Sequence, residues 1–390
     1  MAESYTFRQK LHYNFQKQAD FARKYSPLYR RIHRHVSSWL DAVTADSDPI
    51  VTWLEATLAG RSPFLGPNLL TAGLHQRVLA DDPLVADLAT FYPGSAHFGR
   101  ANYRFDMVLR EAILATRTKL TPFMQTANVQ TNETSRGFTW LWPLHYVGWE
   151  SVHLLDLGAS AGLNLVAPLR RYEVADVAGR SLMRLGHWPD EMAAPQFRIR
   201  AQGVVPDLPL GDLKPLPRIL SRTGIDMQPF YLDSEEQERI LLSFIWADQL
   251  ERMGRLREGL TAYHQVQQGD TPIALHEVFL PDGLADFLAT KGPAGDAPLV
   301  IYNTYMTTYL PDKGASLREI IGRWAAGQPQ PTFWLQLEPR SEASRFGWCA
   351  ITADLWHNGQ HRQWELAMAH PHITDLEFSA ADLADFLAYW

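Results

Sequence analysis

The stretch SVHLLDLGASAGLNLV, Ser151–Val166, decides how the rest of the chain is read. Val152, Leu154 and Leu155 make a short apolar run that ends in an acid, Asp156. The small residues Gly158, Ala159, Ser160, Ala161 and Gly162 then lead on to Leu163, Leu165 and Val166. This pattern predicts strand, tight turn, helix. Glycines at both ends of such a turn let backbone come close to a ligand, and the N–H groups opening the helix face whatever lies over the strand's carboxyl end. The stretch therefore predicts a small-molecule-binding corner.

Two chemistries fit that corner. An acid at the strand tip, two residues ahead of a glycine-rich turn, resembles the first motif of S-adenosylmethionine-dependent methyltransferases of the Rossmann-like class, with Ser160 where a middle glycine is common. The same five small residues satisfy G-x-S-x-G, the nucleophile elbow of α/β-hydrolases. That second reading makes Ser160 a nucleophile served by a downstream acid and by His357, His361 or His370. It also requires sheet strands upstream of the elbow, where this chain reads as helices, and it leaves Asp156 without a role.

A chain of 390 residues exceeds one typical domain, so two domains or one enlarged α/β domain are expected. The balance of 43 acids against 36 bases, net −7, comes with no basic block that would track a phosphate backbone. A small-molecule or protein acceptor is expected rather than nucleic acid. Cys349 is the single cysteine, which excludes an internal disulfide and a thiolate metal cluster. Met1–Asp20 is polar and mixed in charge, and no apolar run approaches the roughly 20 residues of a membrane helix. No membrane partner and a cytoplasmic location follow as expectations.

Upstream of the corner, Leu11, Phe15, Ala19 and Ala22 recur at helical spacing, as do Leu28, Ile32, Val36 and Trp39, then Phe105, Leu109 and Ile113. A helical N-terminal region over 1–145, a candidate lid, is predicted, with an α/β domain over 146–390. His33, His35 and His75 read as core or surface residues, and no metal site is expected. Gln130, Thr131, Asn132, Glu133 and Arg136 crowd the approach to a strongly apolar helix. Thr131 or Asn132 reads as its N-cap. Five hydrogen-bonding side chains exceed what a cap requires, so the cluster is also expected to reach the mouth of the corner.

Downstream, 170–222 carries six prolines and short alternating stretches, and reads as an insertion overhanging the ligand. Asp226 ends a second strand; an acid there accepts hydrogen bonds from both ribose hydroxyls in dinucleotide and adenosyl folds. Asp233–Gln268 reads as one long helical segment, with Asp248 and Arg252 a solvated pair. Ile273–Phe279 is a third strand containing Glu277, Pro298–Met306 a fourth that carries Asn303 and Tyr305, and Thr332–Leu337 a fifth ending at Glu338. Asn358-Gly359 between two alternating runs predicts a closing hairpin.

The series Asp156-Leu157-Gly158, Ile225-Asp226, Glu277, Asn303-Thr304-Tyr305 and a terminal hairpin resembles the Rossmann-like methyltransferase superfamily over roughly residues 150–370. More closely, Gln130-Thr131-Asn132-Glu133, Gly158 to Leu165, Gly224-Ile225-Asp226 and Trp246 followed by Arg252 resemble the domain-of-unknown-function family two-three-three-two. The resemblance implies a doubly wound sheet and S-adenosylmethionine as cofactor. It puts Asp156, Gly158, Ala159 and Gly162 around the methionine end, Asp226 at the ribose, Glu277 at the adenine and Asn303 on the floor near the sulfonium, with Asn164 also among the cofactor-binding residues. Tyr305 and Glu133 or His145 are expected on the acceptor side, the last two as proton acceptors. The alternative is a protein that keeps the adenosyl-binding fold without catalysis.

Overall fold

Prolines open several of the helices that lead the chain. Ser26, Asp48 and Asp82 each precede a proline, and each accepts a backbone N–H of the turn that follows. The cap satisfies an orphan donor while proline presets the helical φ. Thr6 and Gln9 close a reciprocal capping box at 3.2 and 2.8 Å.

The computed structural model describes residues 5–100, 103–128, 133–292, 295–340 and 347–390. Among them are twelve α-helices: α1 (Phe7–Ala22), α2 (Pro27–Leu40), α3 (Pro49–Thr57), α4 (Gly66–Leu79), α5 (Ala86–Ala89), α6 (Phe105–Thr126), α7 (Phe138–Val147), α8 (Glu235–Ser243), α9 (Leu250–Gln267), α10 (Leu284–Lys291), α11 (Ala315–Ala326) and α12 (Ala380–Tyr389). None is long and apolar enough to cross a membrane. The chain divides into two compact units, Met1–Asn132 with Leu232–Arg257, and Glu133–Tyr231 with Glu258–Trp390.

The first unit is helical, and every apolar position singled out in α1, α2 and α6 is buried. His33 and His75 lie in this core, where burial lowers their pKa to about 3 and about 4 and keeps both rings neutral. No group of His, Cys, Asp and Glu among the described residues is arranged to hold a metal. The segment expected as one long helix is two, α8 and α9. Between them, Asp248 accepts from Ser26 Oγ at 2.8 Å and Leu28 N at 3.4 Å, while Arg252 donates to Gln249. The acid caps α2 instead of pairing with Arg252.

The second unit is built on one mixed sheet. Its strands are β1 (Ser151–Leu157), β2 (Arg171–Ala175), β3 (Ser181–Gly186), β4 (Phe197–Ala201), β5 (Arg218–Asp226), β6 (Ile273–Glu277), β7 (Leu299–Thr304), β8 (Thr332–Pro339), β9 (Cys349–His357), β10 (Gln360–Ala369) and β11 (Asp375–Phe378). Their order is β3-β2-β4-β11-β10-β9-β8-β7-β1-β5-β6. From β6 to β8 the neighbours are all parallel, with β1 central, and β9 to β11 follow as an antiparallel meander. Asn358 (φ 51°) and Gly359 (φ 72°) make the β9–β10 turn, the two left-handed residues a tight hairpin requires.

Two findings differ from the expected sheet. Beyond Gly162 the chain forms a 3-10 turn, Leu163–Leu169, with Pro168 inside it, and no α-helix covers β1 at this point. Residues 170–222 do not overhang the corner; β2 and β4 join β11 in parallel and β3 pairs with β2, so the excursion extends the sheet at its far edge. Among the described residues eleven strands form the sheet, where five, a closing hairpin and an insertion of short strands or loops are expected.

Side-chain alternation sends Leu155, Leu157, Ile225, Ile301 and Trp334 to one face, where they pack with Leu284, Phe287, Leu317 and Ile321 of α10 and α11. The other face holds α7, nine of whose ten residues are buried. A helix apolar all round has to be enclosed. Trp140 meets Tyr302 of β7 at 5.9 Å, Trp142 meets Phe378 of β11 at 5.9 Å, and Phe138 meets Tyr172 of β2 at 6.1 Å. Strands so far apart in the order reach one helix because the twisted sheet curls around it.

Candidate functional site

The carboxyl ends of β1, β5 and β6 bring three acids to one rim. Asp156 lies opposite Gly224, and Asp226 lies opposite Glu277. Since Asp226 is two residues beyond Gly224, the period-2 alternation puts all three carboxylates on the same face of three adjacent strands. Their environments differ. Asp156 is buried and accepts the Tyr302 hydroxyl at 2.7 Å; burial raises its pKa to about 7. Asp226 is half-buried, and Glu277 is exposed on the edge strand.

The glycine-rich turn is folded onto its neighbour. Gly158 N and Ala159 N donate to Ile225 O at 2.8 and 3.1 Å, and Ser160 N donates to Asp226 Oδ2 at 2.9 Å. The other oxygen of Asp226 accepts Gln228 N, also at 2.9 Å. Gly158 (φ 80°), Ser160 (φ 51°) and Gly162 (φ 73°) all take left-handed backbone to make this path. A Cβ on Gly158 would stand 2.8 Å from Met306 Cγ, and one on Gly162 3.0 Å from Ile273 Cγ2. The close approach these glycines permit is to the protein's own side chains.

Two asparagines of the predicted site are committed to structure. Asn164 Oδ1 accepts Gly137 N at 2.9 Å and its carbonyl accepts Trp140 Nε1 at 3.0 Å, tying the turn to the start of α7. Asn303 is fully buried; its amide donates to Glu338 at 2.7 Å and accepts from Trp334 Nε1 at 2.7 Å.

A second cluster lies beyond the ends of β7 and β8. Tyr305, with φ 57°, donates its N–H to Leu337 O at 2.8 Å, and the Arg136 guanidinium sits over its ring, 5.1 Å from the centroid. Desolvation raises the phenol's pKa, so Tyr305 keeps its proton. Glu338 clamps the next two residues: it accepts Met306 N at 2.8 Å, Thr307 N at 3.2 Å and Thr307 Oγ1 at 2.7 Å. Buried Glu133 contacts His372 Nδ1 at 2.7 Å, and Ser135 Oγ donates to the His372 carbonyl at 2.8 Å. The thiol of Cys349 is buried alongside, its pKa pushed up to about 12.

Glu133 and Tyr305 thus belong to one cluster around Arg136, whose charge both of them feel. His145 does not join it. It lies in the last turn of α7, where its Nδ1 meets Lys214 O at 2.8 Å near the amino ends of the strands, and burial lowers its pKa. Gln130, Thr131 and Asn132 lie outside the described residues. His372 and the clamping role of Glu338 escape a reading of the sequence; the one trace is the polar run His370-Pro371-His372 directly after a strand.

Residues 12–377 match the model of a family described as an uncharacterized protein conserved in bacteria (DUF2332), and the chain belongs to that family. Neither a curated protein nor a solved structure matches it.

Proposed function

We propose that this member of the family is an S-adenosylmethionine-dependent methyltransferase with a Rossmann-like catalytic domain, acting on a small-molecule or protein acceptor. One observation carries the reading: parallel strands run β6-β5-β1-β7-β8, reversing direction of travel between β1 and β7, with Asp156, Asp226 and Glu277 on one face at the carboxyl ends beside that reversal. Ligands of open α/β sheets bind at such a switch point.

The residues fit the nucleoside half of the cofactor. Each Asp226 oxygen accepts one backbone N–H and keeps a lone pair for a ribose hydroxyl. Glu277, exposed and one strand further out, suits the adenine amino group. The methionyl half fits less well, because Met306 rests on Gly158 and Asn303 has both amide atoms engaged. When bound, the cofactor supplies an electrophilic methyl group; the chain's part is to hold the nucleoside and orient the acceptor.

Met306 on Gly158 favours a second reading, a protein that binds the adenosyl group without transferring methyl. The hydrolase reading lacks support: among the described residues β1 is the first strand, and a 3-10 turn replaces the helix of an elbow. Calorimetric titration with S-adenosylmethionine tests the proposal. Wild type should bind, and Asp226→Asn should bind about tenfold or more weakly, since hydrogen bonds to charged groups are worth about 1.5–3 kcal/mol. A flat wild-type titration removes both adenosyl readings. Binding with no methyl transferred to any acceptor fraction leaves the second.

A further inference from the structure

We propose that Arg136 is the receptor for the carboxylate of a small organic acid, held at the rim that Tyr305, Glu133 and His372 form around it. Arg136 is 8% exposed. Its Nε donates to Pro371 O at 3.0 Å, and no described residue takes up its two Nη groups, which leaves four N–H donors without an acceptor. Unfilled donors on a largely enclosed guanidinium are ready for an acceptor from outside the chain.

The neighbouring carboxylates do not. Glu338 spends its oxygens on Asn303, Met306 and Thr307, and Glu133 is engaged by Ser135 N at 3.3 Å and His372 Nδ1 at 2.7 Å. Both still act on the charge of Arg136. Two acids beside one cation leave no net positive charge, so recognition falls to the directed N–H donors of the guanidinium, and a phosphate dianion is disfavoured more than a monoanion. The planar fork of a guanidinium matches a carboxylate through two parallel hydrogen bonds.

The backbone of Tyr305 points the same way. A bulky residue at φ 57° is strained, and the Glu338 clamp on Met306 and Thr307 holds it there. What the strain secures is a phenol ring under Arg136, which fixes the plane of the guanidinium. Beside it, Glu133 holds His372 Nδ1 at 2.7 Å, which fixes the ring of a partly exposed histidine at the rim. A bound carboxylate would therefore meet a fixed cation with a positioned imidazole beside it.

The inference does not rest on the adenosyl reading, and its test uses a different ligand. Benzoate is titrated into the full chain by calorimetry, with inorganic phosphate as the second probe. Benzoate should bind saturably and more tightly than phosphate, and Arg136→Gln and Arg136→Lys should each weaken it about tenfold or more, because neither keeps the fork. Tyr305→Gly relieves the left-handed strain while removing the ring, so it should fold as wild type does and still bind benzoate more weakly. That variant decides the matter if those at Arg136 do not fold. No saturable benzoate binding, equal affinity in the variants, or tighter binding of phosphate overturns the proposal.

Discussion

Asp156 holds its proton nearly to neutrality because it is buried with one hydrogen-bond donor, the Tyr302 hydroxyl, and no cation. Its folded pKa of about 7 stands above the ordinary 3.8, so the folded chain binds this proton more tightly than the unfolded one. The stabilising contribution is complete below the unfolded pKa and is lost as pH rises through the folded value. Asp156→Asn keeps an acceptor for Tyr302 and removes the charge. Relative to wild type, its stability should rise between about pH 4 and about pH 7 and level off above, by an amount on the order of a few kcal/mol. Urea unfolding of both proteins across that range measures it; curves that stay parallel remove the assignment. The position of Asp156 was legible, as an acid ending an apolar run. Its protonation was not, since it comes from burial by parts of the chain remote in sequence, opposed by the hydrogen bond from Tyr302, 146 residues away. The same limit explains Asn303, whose partner Glu338 lies 35 residues on, and Glu133, whose histidine lies 239 residues on.

Helices with one apolar stripe announce themselves, as Leu11, Phe15, Ala19 and Ala22 do in α1. The periodicity of α7 is blurred because it is apolar on every side, and only the sheet curled around it says which neighbour each residue meets. The 3-10 turn after Gly162 had one written sign, Pro168, which an α-helix tolerates poorly at that depth. These two elements meet at Gly137, where an added Cβ would stand 2.6 Å from Ala167 Cβ and 2.9 Å from Asn164 O. Neither neighbour is the end of a flexible side chain. Gly137→Ala should therefore cost about 1–3 kcal/mol through overpacking. Gly254, within α9, has nothing within 4 Å of the same added atom. Gly254→Ala should gain about 0.5–1 kcal/mol from helix propensity alone. Thermal unfolding of the pair followed by circular dichroism checks both signs, and a loss at Gly254 equal to that at Gly137 contradicts the packing argument.

For the sheet as a whole, the parallel series β1, β5, β6, β7, β8 and the Asn358-Gly359 hairpin were legible, since each strand is apolar and ends in a polar residue or a turn signal. The far wing was not. β11 has four residues, and what fixes it is β4: Arg200 N donates to Thr374 O at 3.0 Å, Gln202 N to Leu376 O at 2.7 Å, and the Arg200 side chain pairs with Asp375, 175 residues away. Pairings of that separation leave no local pattern, so residues 170–222 read as an appendage. The structure makes them part of the core. Tyr172 of β2 stacks on Phe197 of β4 at 4.7 Å, and both are buried on the side that closes over α7. Replacing residues 171–201 by a flexible linker should therefore do more than trim a loop. It exposes one edge of β11 and uncovers Phe138, which loses Tyr172. The expected product aggregates or loses its near-ultraviolet dichroism while keeping helical signal, as a chain does when packing fails before secondary structure. A soluble variant that elutes at its own mass and melts within a few degrees of wild type would mean instead that β1 and β5–β10 close around α7 unaided, the excursion being dispensable to the fold.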